Sequence, residues 1–221
     1  MAGNVSGNKI LIITGGQVDE AFLQDRIEKE AYSMLIAADH GLLAADRLKL
    51  SLDYIVGDFD SVPEQVLARY REASTPIKTF PTEKDKTDTQ IAIELALMHN
   101  PSVLDLIGAT GSRLDHTLAN LHLLLLPMQL NVSASILDKN NRIYLKQESF
   151  TLLKNQQFGD YISFLPFAGN VDGITLTGFK YPLNNITLTA GSSLAISNEI
   201  VTEEARVEFT KGILAVFETR D

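Results

Sequence analysis

The sequence predicts an α/β protein: an N-terminal, mostly parallel, Rossmann-like α/β/α domain over residues 1–145, then a C-terminal antiparallel β-sandwich over residues 146–221. Three observations carry that expectation. Short apolar runs alternate with amphipathic stretches through the first part of the chain, the pattern of a parallel sheet with crossover helices. Four of those runs end in polar loops rich in Gly or Asp. Further on, the helical period gives way to alternation of apolar and polar residues.

Taken in order, Lys9 to Thr14 is an apolar run closed by Gly15 and Gly16, a strand and a tight turn. Asp19 to Glu30 carries Phe22, Leu23 and Ile27 at helical spacing with charges on the other face. Met34 to Ala38 reads as a second buried strand, ending at Asp39-His40-Gly41, and a short helix follows. Asp53 to Val56 is a third strand, followed by Gly57-Asp58-Phe59-Asp60-Ser61, and Pro63 to Arg71 a helix. Ile77 to Phe80 is a fourth strand, leading through Lys84-Asp85-Lys86-Thr87-Asp88 into a helix over Gln90 to Met98. Val103 to Ile107 is a fifth, closed by the loop Gly108 to His116 and followed by a leucine-rich helix through Leu126. Ala134 to Leu137 is the last strand of this kind. In the second part, Tyr161–Leu165, Ile174–Thr177, Ile186–Thr189, Ala205–Thr210 and Ile213–Glu218 read as strands, with Lys211-Gly212 as the turn between the last two.

Composition narrows the function. The chain has 221 residues, ordinary apolar and charged fractions, and no run long enough to span a membrane. The first eight residues have no apolar core, so they read as a loose tail and not a signal peptide. The absence of cysteine excludes disulfides, thiolate metal sites and cysteine nucleophiles, and fits a cytoplasmic protein. A net charge of −9 argues against a nucleic-acid partner. The four histidines lack ligand spacing, so zinc is not expected.

In a parallel sheet, ligands bind beyond the carboxyl ends of the strands, so the four polar loops are expected to meet at one rim. Asp58 and Asp60 would point to the same side if the backbone between them is extended. Two carboxylates that close repel by about 4 kcal/mol at an effective dielectric near 20, a conflict that a hard cation such as Mg²⁺ relieves. Alternatively both are exposed loop residues before the helix at Pro63. The Lys84–Asp88 loop interleaves lysines with acids. It is either a capping box, with Asp85 as N-cap and Asp88 reaching back, or a seat for metal and phosphate at a helix start. The Gly108–His116 loop offers two glycines, Arg113 for a forked phosphate contact, and a helix N-terminus. Ser112 to Asp115 reads equally as a capping box. His116 and Asn120 place two polar groups on one face of the leucine-rich helix. Neither the Walker pattern nor a dinucleotide fingerprint is present.

Gly57-Asp58-Phe59-Asp60-Ser61, Asp85-Lys86-Thr87-Asp88 and Gly108-Ala109-Thr110-Gly111-Ser112-Arg113-Leu114-Asp115-His116, with Ser197-Asn198-Glu199 later, resemble the ordered motifs of the thiamine pyrophosphokinase family. The resemblance covers most of the chain. It implies Mg²⁺-dependent transfer of the pyrophosphoryl group of ATP to the hydroxyl of thiamine with release of AMP, in a homodimer whose active site lies at the interface. On this resemblance Asp58, Asp60, Asp85 and Asp88 hold the metal, and Asp58, Asp60, Asp88, Arg113 and Asp115 form the catalytic set. ATP is taken by Asp39, Gly41, Lys84, Lys86, Thr87, Gly108, Thr110, Gly111, Arg113 and His116. Thiamine is taken by Asp115, Asn120, Ser197 and Asn198. Two departures stand out: His40 occupies a place where members usually carry a small residue, and the chain has no tryptophan to set against the vitamin.

Rival readings fit fewer of the loops. A metal-dependent nucleotide-sugar glycosyltransferase would use the Asp-x-Asp but leave the Lys84–Asp88 loop and Arg113 without a task. A phosphatase with Asp58 as nucleophile would expect a threonine where Val62 stands. A non-catalytic nucleotide sensor would keep the loops without turnover.

Overall fold

The structure is a computed structural model and describes residues 7–60, 62–79 and 85–221. Contacts divide it into two compact units, one ending at Lys139 and one spanning Asn140–Asp221.

The first unit is built from β1 (Lys9–Ile13), α1 (Glu20–Lys29), β2 (Met34–Ala38), α2 (Gly41–Arg47), β3 (Tyr54–Gly57), α3 (Glu64–Glu72), β4 (Ile77–Thr79), α4 (Asp88–Leu97), β5 (Val103–Ile107), α5 (Leu114–Leu123), α6 (Leu125–Gln129) and β6 (Ser133–Leu137). Its strands are all parallel, in the order β4-β3-β2-β1-β5-β6. Leu11 and Ile12 point to opposite faces of β1, and both are fully buried, so both faces of the sheet are covered. Full burial of side chains of this size contributes roughly 1.5–3 kcal/mol each, which explains why the strands read as unbroken apolar runs. The polar exception is Asp105 in β5, 6% exposed, which accepts from Tyr32 Oη at 2.6 Å and Arg26 Nη2 at 3.3 Å. Arg26 also reaches Glu30 at 3.4 Å.

Helix α1 starts where its sequence says, with Asp19 accepting from the Phe22 N–H at 3.0 Å. Neither of the capping boxes that the sequence allowed as alternatives supplies the N-cap. Thr87, not Asp85, caps α4 by accepting from the Gln90 N–H at 3.2 Å. Arg113 sits at the N-cap of α5 with no side-chain cap. A hydroxyl one residue from the helix start reaches the free N–H groups more directly than a carboxylate three residues back.

The second unit contains β7 (Asn141–Lys146), β8 (Phe150–Leu153), a short 3₁₀ turn at Lys154–Gln156, β9 (Tyr161–Thr177), β10 (Leu183–Leu188), β11 (Glu204–Glu208) and β12 (Lys211–Thr219), and all of its described pairings are antiparallel. Three expectations are corrected here. The two units part at Lys139, not at residue 145, because β7 pairs with β12 from Asn141↔Thr219 to Lys146↔Leu214. The strands expected at Tyr161–Leu165 and Ile174–Thr177 are one strand of 17 residues. Lys211-Gly212 is not a hairpin turn: it opens β12, and β11 and β12 both pair with β9 instead of each other. β9 serves β12 with its first half and β10 and β11 with its second. Its course changes at Ala168 and Gly169, both with positive φ. Between these pairings lies an apolar cluster of Phe164, Ile174, Leu176, Phe179, Val207 and neighbours, in which the rings of Phe164 and Phe179 meet edge-on at 5.6 Å. Glu218 is buried with its carboxylate accepting from the Phe158 N–H at 2.8 Å.

Candidate active site

The carboxyl ends of the parallel strands form one rim, and their loops touch in sequence across it. Gly57 ends β3 with φ +153, and the Asp39 N–H donates to Val56 O at 2.9 Å, tying the end of β2 to that of β3. Asp39 in turn crowds the loop after β1: a Cβ on Gly15 would stand 2.9 Å from Asp39 Oδ2. The neighbouring Gly16 donates its N–H to Gly108 O at 2.8 Å, and Gln17 donates to Thr110 O at 2.8 Å. Only glycine fits there, since a Cβ on Gly16 would come within 2.2 Å of Gly108 O and 2.4 Å of Thr110 O. Thr110 Oγ1 donates to Asp138 Oδ2 at 2.9 Å, so the row ends at the residue just after β6. The chain leaves β1 toward β2 on one side and returns to β5 on the other, so the row crosses the point where strand order reverses.

The acidic pair lies on this rim but not as expected. Phe59 has φ +63, so Asp58 and Asp60 are not an extended i, i+2 pair. The Phe59 ring is buried, 6% exposed, and the Asp60 N–H donates to Asp58 Oδ1 at 3.3 Å. The backbone is thus folded over an aromatic anchor, leaving Asp60 exposed and Asp58 half-buried. Asp88 opens α4, which follows β4, and Arg113 and Asp115 open α5, which follows β5; all begin at the same rim. Among the described residues, no three acidic or histidine side chains already sit together as a metal site. The donor set that Asp58, Asp60, Asp85 and Asp88 offer is nonetheless all carboxylate oxygen, the chemistry a hard divalent cation takes.

The remaining expected site residues divide by what holds them. Arg113 Nη2 pairs with Asp115 Oδ2 at 2.6 Å in the open, which keeps the Asp115 carboxyl below its ordinary range and raises the Arg113 guanidinium. Lys86 Nζ is taken by Glu94 at 2.8 Å, and that bond, with the Gln90 amide, holds the Glu94 carboxyl low. Thr87 is spent on its cap. Gly41 packs against the end of β1, where a Cβ would meet Ile13 O at 2.1 Å. His40 Nδ1 lies 3.2 Å from Asp39 Oδ2. His116 is exposed on the first turn of α5, while Asn120 is buried and donates to Ala109 O at 2.8 Å. Asn120 therefore braces the glycine loop from behind. Lys84 and Ser61 lie outside the described residues. In the second unit Ser197 is exposed with φ +54, and its N–H donates to Ser163 Oγ at 2.9 Å. Asn198 is 2% exposed, and its amide is held by the backbone of Tyr181 and Glu199: Nδ2 donates to Tyr181 O at 2.8 Å, and Oδ1 accepts from Tyr181 N at 3.0 Å and Glu199 N at 3.0 Å.

Phe59, Gly16, Asp138 and Tyr181 were not singled out from the sequence. Gly16 had a signal in the Gly-Gly after β1; the others look like ordinary core or loop residues until their neighbours are known.

This is a two-unit α/β protein whose polar loops gather at the carboxyl rim of its parallel sheet. Residues 26–136 match the thiamin pyrophosphokinase catalytic domain and residues 149–214 the thiamin pyrophosphokinase vitamin B1 binding domain. The chain is 35% identical over 206 residues to thiamine pyrophosphokinase of Bacillus subtilis, covering 93% of this chain and 91% of that one. The crystal structure of thiamine pyrophosphokinase from Bacillus subtilis superposes with a TM-score of 0.86 at 33% identity, over 97% of this chain and 100% of the other. That of thiamin pyrophosphokinase from Geobacillus thermodenitrificans gives 0.82 at 31% identity, over 96% and 98%. The chain belongs to the thiamin pyrophosphokinase family, and it is an enzyme of that kind.

Proposed function

We propose that this chain transfers the pyrophosphoryl group of ATP to the hydroxyl of thiamine, giving thiamine diphosphate and AMP, in the cytoplasm and as a homodimer with its active site at the interface. The observation that carries the reading is the row of touching loops from Gly57 through Asp39, Gly15, Gly16 and Gly108–Gly111 to Asp138. It gathers glycine turns and carboxylates at one rim of the parallel sheet, and in this reading the antiparallel unit supplies the vitamin surface. Transfer of this kind needs in-line positioning and neutralisation of charge more than covalent help.

In this reading the glycine turn at Gly108–Gly111 and the start of α5 cradle the triphosphate, with Asp39 and Gly41 at the nucleotide and Lys84, Lys86 and His116 nearby. Lys86 exchanges Glu94 for phosphate when ATP arrives. Asp58, Asp60, Asp85 and Asp88 would hold Mg²⁺, which when bound neutralises phosphate charge. Arg113 faces the transferred group, and its pairing keeps Asp115 ionised to orient or accept the thiamine hydroxyl proton. Ser197 stands at the vitamin seat. Tyr181, 55% exposed, offers the aromatic face that tryptophan would otherwise give; Lys180 Nζ lies 5.7 Å from its ring centroid, so that face already accepts a cation, as thiamine is.

The test is to incubate the protein with ATP, Mg²⁺ and thiamine and identify the adenine nucleotide released. AMP with thiamine diphosphate is the expected result. ADP, or no turnover, would overturn the reading.

A further inference from the structure

A pocket opens at the amino-terminal ends of the parallel strands, where Leu50–Leu52 lead into β3. It is a half-open cleft of about 560 Å³, and the last turn of α3 with the residues after it forms the other wall through Arg69, Tyr70 and Thr75. That volume lies within the usual range of small-molecule sites. Nothing in it depends on the loops of the carboxyl rim.

Both flanking helices end in the same way. At the close of α2, Lys49 N–H donates to Asp46 O at 3.0 Å and Leu50 N–H to Ala45 O at 2.9 Å. At the close of α3, Ser74 N–H donates to Arg71 O and Thr75 N–H to Tyr70 O, both at 2.9 Å. Carbonyls of both last turns are therefore satisfied within the chain and do not call for a cation from outside.

The charges in the pocket do not balance. Arg69 grips Asp46 with two nitrogens, Nε to Oδ1 at 2.8 Å and Nη2 to Oδ2, so that pair cancels. Lys49 remains, and its ammonium has no hydrogen-bond or ion-pair partner among the described residues. It also sits at φ +54, a left-handed position that glycine takes most readily. The lining beside it includes Tyr70 and Leu52, each 7% exposed, with the Tyr70 hydroxyl donating to Leu50 O at 3.3 Å.

We propose that this pocket binds a small organic monoanion, an aromatic or branched apolar body bearing one carboxylate, with Lys49 meeting the charge and Tyr70 and Leu52 the body. The Asp46–Arg69 pair walls the site and keeps a second negative charge out. A monocarboxylate fits where a polyphosphate does not, because one positive charge is uncompensated.

The probe is p-fluorobenzoate, titrated into the full-length protein and followed by amide and fluorine NMR. Saturable shifts at the amides of residues 49–52 and 69–75 are expected. Lys49→Gly, which suits the left-handed backbone, and Lys49→Gln, which keeps the stem, should each bind about tenfold more weakly with the fold intact. The neutral p-fluorobenzyl alcohol should bind the natural chain as weakly as the acid binds those variants. Shifts that fail to saturate, shifts confined to other residues, or undiminished affinity in both variants would overturn the proposal. Lys49 would then be only a charge at a helix end.

Discussion

Asn198 holds both backbone polar groups of Tyr181, its Nδ2 2.8 Å from the carbonyl oxygen and its Oδ1 3.0 Å from the nitrogen. The amide is buried, and with the Glu199 N–H also donating to Oδ1 at 3.0 Å it fixes the backbone on which the Tyr181 ring stands. Asn198→Ala should leave the paired groups unsatisfied, lowering stability by about 1–3 kcal/mol in denaturant melts. The KM for thiamine should rise well beyond that for ATP. Equal effects on both substrates would return Asn198 to a purely structural role.

Asp60 is exposed on the rim, so Asp60→Asn should abolish turnover without lowering the unfolding midpoint. Steady-state rates alongside a thermal melt check this. A variant of near-normal activity would remove Asp60 from the acidic set.

The Arg113 hydrogen bond depresses the Asp115 carboxyl. A depressed folded-state value means the carboxylate is ionised throughout the neutral range, with its favourable contribution present above the unfolded value and lost as pH falls through the folded one. In Arg113→Ala the acid limb of kcat/KM for thiamine should therefore move upward in pH, toward the ordinary carboxylate range, on top of a lower plateau. An unmoved limb would show that Asp115 does not report on the reaction.

Gly16 and Gly108 are in backbone contact, and a methyl group on Gly16 has nowhere to go. Gly16→Ala should push the Gly108–Gly111 turn outward and raise the KM for ATP at least about tenfold, equivalent to roughly 1.4 kcal/mol. Gly191, whose added Cβ would meet nothing within 4 Å although its φ is +88, is the control: Gly191→Ala should cost some stability yet leave the ATP dependence alone.

Asp105 gathers Tyr32 and Arg26 inside the first unit. Asp105→Asn should destabilise by about 1–3 kcal/mol, because the partly buried guanidinium keeps only Glu30 as counter-charge and Tyr32 loses a charged acceptor. Chemical denaturation measures it, and activity per folded molecule should be unchanged.

The alternation of strand and helix in the first unit was legible because burial on both faces forces unbroken apolar runs such as Lys9–Ile13. The rim was legible because the polar loops follow those runs directly. What escaped was set by partners distant in sequence. Arg142–Lys146 looks like any short strand, and only its pairing with β12 assigns it to the second unit. Asn120 shows one polar group on a leucine-rich helix, whichever way that group turns, and the structure turns it to Ala109 O. Asp58 and Asp60 suggested an extended pair, but the burial of Phe59 between them bent the backbone, and aromatic side chains in loops give no sign of that beforehand.

The strand Tyr161–Thr177 donates to one set of neighbours with its first half and to another with its second. Neither set can peel away without taking a shared backbone with it. Amide protons on β7, β10 and β12 should thus exchange in one cooperative opening, and a protease cut near Ala168 would cost the second unit its integrity as a whole.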